Sequence, residues 1–330
     1  MKQLIALALS LCLISPLGHA TTLKIATLAP DGTNWMKLMR KAAKEIKKET
    51  EGRVKIKYFP GGVQGSDKSV LRKMRIRQLQ GGAISVGAIN HISKAAQLYS
   101  MPFTFRNLDE VRAVREEFDQ YIIDDLASKG YEVLGLTEGG FAYLMGNKAL
   151  TQAEDFTTQK VWSPEGDVIT QTTFSTAGIE PISLPISDVY TSLQTGLINT
   201  VGSNLSATIA LQWHTKLSHA TDFPLLFLMG MLIVDQKAFA KLNDSDQATV
   251  RRIMKETYAA MDKQNAKDEE GARLALQKGG MTFVKLSDAE KANWQTLAAN
   301  TLKDLADKGV YPVDLYTKLQ NRLNELRTGQ

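Results

Sequence analysis

Cysteine occurs once in the 330 residues, at Cys12, and histidine only four times. A single thiol excludes a disulfide-stapled scaffold, and together with so few histidines it leaves no cysteine–histidine set for a structural zinc site. Beyond the first twenty residues no apolar run reaches the roughly 20 residues that span a bilayer. The most apolar stretch, Phe223 to Val234, is interrupted by Pro224 and Gly230 and reads as buried strand and loop. Sequence signatures of catalysis are also missing: there is no G-x-G-x-x-G, P-loop, G-x-S-x-G, S-x-x-K or H-E-x-x-H. No catalytic residue, cofactor or metal is therefore expected. What remains is an ordinary globular composition, 43% hydrophobic and 23% charged with a net charge of +5, at a length that suggests two domains.

The first twenty residues combine Lys2, an apolar stretch from Leu4 to Leu17, and small residues at Gly18 and Ala20. That pattern is a secretory leader cleaved between Ala20 and Thr21. Cys12 is a poor lipid anchor, because Leu11 precedes it where a small residue is wanted. Cleavage leaves 310 residues with a net charge of +4 and no cysteine. The processed chain is expected to be soluble, periplasmic and held together by burial alone.

Leu23–Leu28 alternates apolar and polar residues as a half-buried strand does, and Trp35–Thr50 carries Leu38, Met39, Ala42, Ala43 and Ile46 at helical spacing. Strand 54–58, helix 67–80 and strand 84–88 continue the alternation, which predicts an α/β fold with a parallel sheet. The pattern recurs with helix 109–127, strand 131–136, a crossing strand at Tyr143–Met145, strand 160–162, helix 188–194 and strand 197–201. From Ser245 the chain is nearly all helix former, giving helices over 245–277, 287–307 and 312–327. Glycine pairs at 61–62, 81–82, 139–140 and 279–280 read as turns and helix ends. The basic run Lys68, Arg72, Lys73, Arg75 and Arg77 lacks interleaved aromatics, which argues against nucleic acid. It reads as a solvated helix face, with docking to an acidic patch on a membrane partner as the alternative.

Five stretches in order resemble the solute-binding proteins of tripartite ATP-independent periplasmic (TRAP) transporters. They are Leu23–Ala26, Glu51–Ile56, Tyr58–Gly62, Met101–Phe105 and Asp188–Asn199, the last similar to the family's E-V-Y-x-A-L-Q-x-G-x-x-D segment. The resemblance implies a two-lobed periplasmic-binding-protein-like fold with crossing hinge strands and a long C-terminal helix spanning the lobes. Residues 21–138 plus 230–270 would form lobe I, and 139–229 plus 271–330 lobe II. It also implies closure on one small ligand, TRAP membrane subunits as partners and no enzymatic activity.

This chain departs from the family where a carboxylate-binding arginine is common: Lys160-Val161-Trp162-Ser163-Pro164 has tryptophan in that place, and Phe141 and Ala142 follow Gly140 without an arginine. A tryptophan offers one N–H and an apolar face rather than a bidentate positive charge. The cleft is therefore expected to hold an apolar, aromatic or amphipathic organic acid. A cation held by cation–π contact near Glu138 is the alternative, and a periplasmic enzyme or scaffold on the same fold a further one. Expected cleft residues are Asn34, Trp35, Asn90, Phe103, Phe141, Trp162, Tyr190, Asn204 and Trp213, with His91 and Trp294 assigned to surface and helix packing. The Ala207–Trp213 stretch and the tryptophan together resemble the branch associated with periplasmic tetratricopeptide-repeat proteins.

Overall fold

The residues just beyond the expected leader build one open α/β layer. β1 (Thr21–Thr27) buries Leu23, Ile25 and Ala26, and α1 (Asn34–Glu49) starts where the Thr33 hydroxyl accepts the Met36 N–H. Met36, Met39, Ala42 and Ile46 form its inner stripe, and Lys47 and Lys48 sit in its last turn, where they complement the helix dipole. β2 (Val54–Phe59), α2 (Asp67–Arg75) and β3 (Gly81–Ser85) follow, with α3 (Leu108–Ser128) after two short 3₁₀ turns. The computed structural model describes residues 20–329; residues 1–19, with Cys12 and nearly all of the expected leader, lie outside them.

β4 (Tyr131–Gly146) then runs sixteen residues, followed by β5 (Trp162–Pro164), α4 (Val168–Thr176), β6 (Ile182–Leu184), α5 (Val189–Thr195), β7 (Thr200–Ser203), α6 (Leu205–Ala210) and β8 (His219–Thr221). β9 (Leu226–Asp235), α7 (Gln236–Phe239), α8 (Asp244–Lys278), β10 (Thr282–Val284), α9 (Asp288–Asp307) and α10 (Val313–Thr328) complete the chain. The main sheet has the order β10-β8-β4-β9-β3-β1-β2, with β7 also on β4, and β5–β6 form a separate pair. An isolated bridge from Val161 to Thr200 ties that pair to β7.

The sheet is parallel over β2-β1-β3 but antiparallel from β3 to β9 and from β9 to β4. This corrects the all-parallel expectation, and the cause is the pair of long hinge strands. Tyr131–Ala142 of β4 pairs with β9 in lobe I, whereas Tyr143–Gly146 pairs with β7 and β8 in lobe II. The two β4 segments expected as separate strands are thus one strand, with register shifts at Val133/Gly135 and Glu138/Gly140. Bulges of this kind re-aim a strand, and the second lies where β4 leaves lobe I.

Two glycine pairs expected at turns lie inside strands. A Cβ on Gly81 would come within 2.7 Å of the Ile233 carbonyl oxygen, and one on Gly82 within 2.7 Å of the Val70 side chain. Here glycine serves close packing rather than chain reversal. α2 is also shorter than expected: it stops at Arg75, and Arg77 adopts φ 60°.

α8 is 35 residues long, about 52 Å at 1.5 Å per residue, enough to cross both lobes. Its Val250, Met254 and Tyr258 pack with α1 in lobe I, and its Ala272 and Leu276 join Trp162, Val189 and Val201 in the core of lobe II. α9 packs on α4, where Thr176 donates to Asp304 at 2.8 Å. α10, grouped with lobe II in the sequence division, packs instead on α3 of lobe I. Tyr316 lies 3.0 Å from the Thr104 hydroxyl, and Arg327 donates to Glu110 at 2.8 Å. Among the described residues no helix is long and apolar enough to cross a membrane.

Candidate ligand-binding cleft

The cleft begins with the chain reversals at the C-terminal ends of β1 and β3, the usual place for ligands in open α/β sheets. Thr27–Pro30 and Asn34–Trp35 come from the first reversal, and Ala83–Ser85 from the second. Thr137 and Gly139 of β4 and Leu228–Met231 of β9 form the floor at the hinge. α6 contributes Ala207, Ile209 and Ala210 from lobe II, and one flank of α8 contributes Asn265, Lys267, Asp268 and Ala272. The open cleft has a volume of about 710 Å³, within the range of small-molecule sites.

Its walls are mostly aliphatic, and Lys267 is the one Lys or Arg among the lining residues. Asp67, at the first turn of α2, is 7% exposed and accepts the Ser85 N–H at 3.0 Å and the Ser85 hydroxyl at 2.8 Å, both on Oδ2. Burial raises its carboxyl above the usual range, against those two hydrogen bonds. Asn34 donates through Nδ2 to Asp268 at 3.1 and 3.2 Å. Asn204 caps α6 by accepting the Ala207 N–H at 2.8 Å and donates through Nδ2 to the Gly139 carbonyl.

The hinge beneath is fastened by charge. Arg115 of α3 donates to Glu138 at 3.1 Å and to Asp262 at 2.6 Å, while Arg112 donates to Glu138 at 3.0 Å. Asp262 also accepts the Thr137 hydroxyl at 2.8 Å and the Glu138 N–H at 2.9 Å, tying α8 to β4. Further along α8, Glu269 accepts the Leu205 and Ser206 N–H groups at 3.0 and 2.9 Å. Burial raises its carboxyl too, against the Ser206 and Leu205 hydrogen bonds. At the far rim the lobes touch: Asn90 donates to the Gly166 carbonyl at 3.0 Å, and Lys68 lies 3.8 Å from Glu165.

A cleft between two lobes, floored by crossing strands and bridged by one long helix, matches what the family resemblance implied. Residues 25–308 match the family model described as bacterial extracellular solute-binding protein, family 7, the DctP family. The chain belongs to that family. It is similar to the C4-dicarboxylate-binding periplasmic protein DctP of Rhodobacter capsulatus, 23% identical over 307 residues and 92% of each chain. The sialic acid-binding periplasmic protein SiaP of Vibrio cholerae is 21% identical over 284 residues, covering 86% of this chain and 88% of that one. A TRAP periplasmic solute-binding protein from Shewanella oneidensis, solved with bound succinate, superposes with a TM-score of 0.85 at 20% identity. It covers 92% of this chain and 99% of the other. A second, from Desulfovibrio salexigens with bound orotic acid, gives 0.81 at 17% identity, over 92% and 99%. The family is periplasmic, and its members are solute-binding proteins rather than enzymes.

In this solute-binding protein Asn34, Trp35 and Asn204 line the cleft as expected from sequence position. The other six do not. Trp162 is 3% exposed in the lobe II core, where its indole N–H reaches the Leu184 carbonyl at 3.0 Å. Its ring meets Trp213 edge-on at 5.3 Å, and Trp213 is itself buried. Tyr190 packs against the same cluster. Phe103 stacks on Phe223 at 5.2 Å, and Asn90 is used in the rim contact above.

Phe141 packs against Phe227 at 5.0 Å and lines a second cavity of about 320 Å³ with Leu108, Tyr143 and Arg273. Glu138, named in the alternative cationic reading, lines that second cavity and is paired with Arg112 and Arg115. α8 lies between the two cavities, presenting Ala266 and Glu269 to one and Asp268 and Ala272 to the other. His91 is exposed and Trp294 is buried in helix packing, both as expected. Asp67, Ser85, Asn265 and Lys267 were missed. Only Asp67 carried a usable signal, an acid opening a helix beyond a Gly-rich turn.

Proposed function

We propose that this protein is the ligand-capturing subunit of a TRAP-type secondary transporter, exported by a leader cleaved after Ala20. Its cleft closes on a small organic acid with one carboxylate and a largely apolar body. One observation carries the ligand class: a cleft of about 710 Å³ with aliphatic walls has Lys267 as its single cationic lining residue. Similar proteins have been solved with succinate and with orotic acid, and curated relatives are named for C4-dicarboxylates and sialic acid. In this cleft a second carboxylate would find no second cation, only neutral hydroxyl and amide groups such as Thr27, Ser206 and Asn265, with Asp67 and Asp268 beside them. Burying an unpaired carboxylate costs several kcal/mol. A hydrocarbon or aromatic body instead fills the Ile84, Ile186, Ile209 and Met231 surfaces without that cost.

A ligand touching both lobes favours the closed arrangement through its differential contacts, which is the mechanism the hinge geometry allows. The partners this reading requires are TRAP membrane subunits. A periplasmic tetratricopeptide-repeat protein is a second candidate partner, resting on residues 207–213 and Trp162 alone. An amine or other cationic ligand is favoured by one feature, the buried Asp67 carboxyl on the cleft wall.

A thermal-shift screen of monocarboxylates, dicarboxylates and amines separates these readings. A ligand at a hundred times its Kd stabilises by about 2.7 kcal/mol. We expect long-chain or aromatic monocarboxylates to give the largest shifts, and Lys267→Ala to abolish them. Larger shifts with succinate would overturn the apolar-body reading. Shifts with amines, lost in Asp67→Asn, would select the cationic one.

A further inference from the structure

The charge of this molecule is strongly polarised. Residues 21–82 carry 15 Lys and Arg against 5 Asp and Glu, a net +10, whereas residues 83–330 carry 24 against 30, a net −6. Those first residues are β1, α1, β2 and α2, and β2 is the edge of the sheet farthest from the lobe II strands. α1 packs in the cluster on one face of this layer and α2 in the cluster on the other. The positive charge therefore wraps around one end of lobe I.

Much of it is unneutralised. Lys41, Lys44, Lys48, Arg72, Arg75 and Arg77 are all exposed, and none has an ion-pair partner within 4.0 Å among the described residues. Beside them stand Val63 at 69% and Ile76 at 58%, the two most exposed large hydrophobic side chains described. Lys73 holds Val63's loop against α2 by donating to the Gln64 carbonyl at 2.9 Å.

We propose that this end of lobe I is a docking surface for an anionic lipid bilayer, on which the protein settles edge-first. The pattern fits lipid better than a protein epitope. Protein interfaces draw their energy from aromatic and arginine anchors in a compact, desolvated centre. Here ten of the fifteen cations are lysines, strongly hydrated point charges that need no fixed partner geometry. They are spread around two helices and an edge strand, and the exposed apolar side chains are aliphatic and isolated. A bilayer rich in anionic headgroups attracts such residues within about a Debye length, with each one near the surface adding appreciably to binding.

The test is co-sedimentation of the protein with vesicles of equimolar phosphatidylglycerol and phosphatidylcholine, against phosphatidylcholine alone. We expect binding to the anionic vesicles only, weakening at least about tenfold as salt rises from low to physiological strength and beyond. The variant Lys44→Glu/Lys48→Glu/Arg72→Glu/Arg75→Glu should lose at least about a hundredfold in vesicle affinity while keeping its circular dichroism. Reversing the exposed Lys285 and Lys303 should change affinity by less than about fivefold. A glutamine version of the four-site variant serves if the glutamate version misfolds. Failure of the protein to sediment with anionic vesicles at low salt overturns the proposal, as does full binding by the four-site variant. Absence of vesicle binding, with transport lost in that variant alone, would assign the surface to a protein partner and overturn the lipid reading.

Discussion

Trp162→Ala distinguishes a core tryptophan from a cleft tryptophan by where the loss appears. The indole is 3% exposed, meets Trp213 at 5.3 Å and 75°, and donates to the Leu184 carbonyl at 3.0 Å. Truncating a buried tryptophan costs about 3–5 kcal/mol, of which the aromatic pair supplies ~0.5–1.5 kcal/mol. We expect a loss of about 4 kcal/mol in the unfolding transition that includes lobe II, or a Tm lower by about 8–16 °C. Trp162→Phe keeps most of the ring but leaves the Leu184 carbonyl without its donor, at a cost of about 1–3 kcal/mol. Urea and thermal unfolding, followed by circular dichroism and tryptophan emission, measure both variants without knowledge of the ligand. A side chain facing an open cleft would change stability by less than about 0.5 kcal/mol. Unfolding midpoints unchanged in both variants would therefore refute the core placement.

Gly135→Ala would place a Cβ 2.3–2.5 Å from the buried ring of Tyr258, so it should destabilise by about 3 kcal/mol or more through separation of β4 and α8; a Tm within a degree or two of the native value counts against that contact. Glu269 is held protonated to a higher pH in the folded state than in the unfolded one. Between its ordinary and raised pKa the native state binds more protons, so this group's stabilising contribution is lost as pH rises through the folded value. Glu269→Gln should flatten that part of the Tm–pH curve at a cost of about 1 kcal/mol, because its Nε2 cannot accept the Leu205 N–H. Glu269→Ala, which removes the acceptors at Leu205 and Ser206, should cost about 1–2 kcal/mol. Gly87→Val crowds the Asp167 carboxyl, which a bare Cβ would already approach to 3.3 Å. It should hold the lobes apart, enlarging the radius of gyration in X-ray scattering while leaving Tm nearly unchanged, and an unchanged radius would remove the rim contact from the closure mechanism.

Much of the fold was legible because its signals are local. The inner stripe of α1, the alternation in β1 and the acid-poor face of α2 each follow from spacing within one element. Strand direction was not local. The antiparallel turn from β3 to β9 joins residues about 150 positions apart, Gly81 with Val234, and no spacing near either end announces it. The cleft residues failed for a related reason. Alternation along a strand tells two faces apart only when one of them is solvated. In β5 and just before it, Val161 and Ser163 are 0% exposed and Trp162 3%, so both faces are covered and nothing in the segment says which looks toward a ligand. Asn34 and Asn204 were found because the start of a helix that follows a strand has a fixed position relative to the cleft.

α8 explains both the missed residues and the way the two lobes can communicate. Read from sequence it is a long charged helix, and Asn265, Lys267 and Asp268 look like ordinary solvated positions. In the folded protein they lie between two sets of anchors. On the lobe I side Asp262 binds Arg115, Thr137 and the Glu138 N–H, while on the lobe II side Glu269 caps α6 and Arg273 binds Asp222 at 2.8 Å. A ligand that contacts Lys267 or Asp268 therefore acts on the span between those anchors, where rotation of one lobe against the other must be absorbed. Gly271 lies just past Glu269, at the lobe II end of that span, and a Cβ added to it would meet nothing within 4 Å. Gly271→Ala would stiffen the helix by roughly 1 kcal/mol of propensity without touching a contact. If closure bends α8 there, that substitution lowers ligand affinity while raising Tm; if α8 moves as a rigid rod, it raises Tm alone.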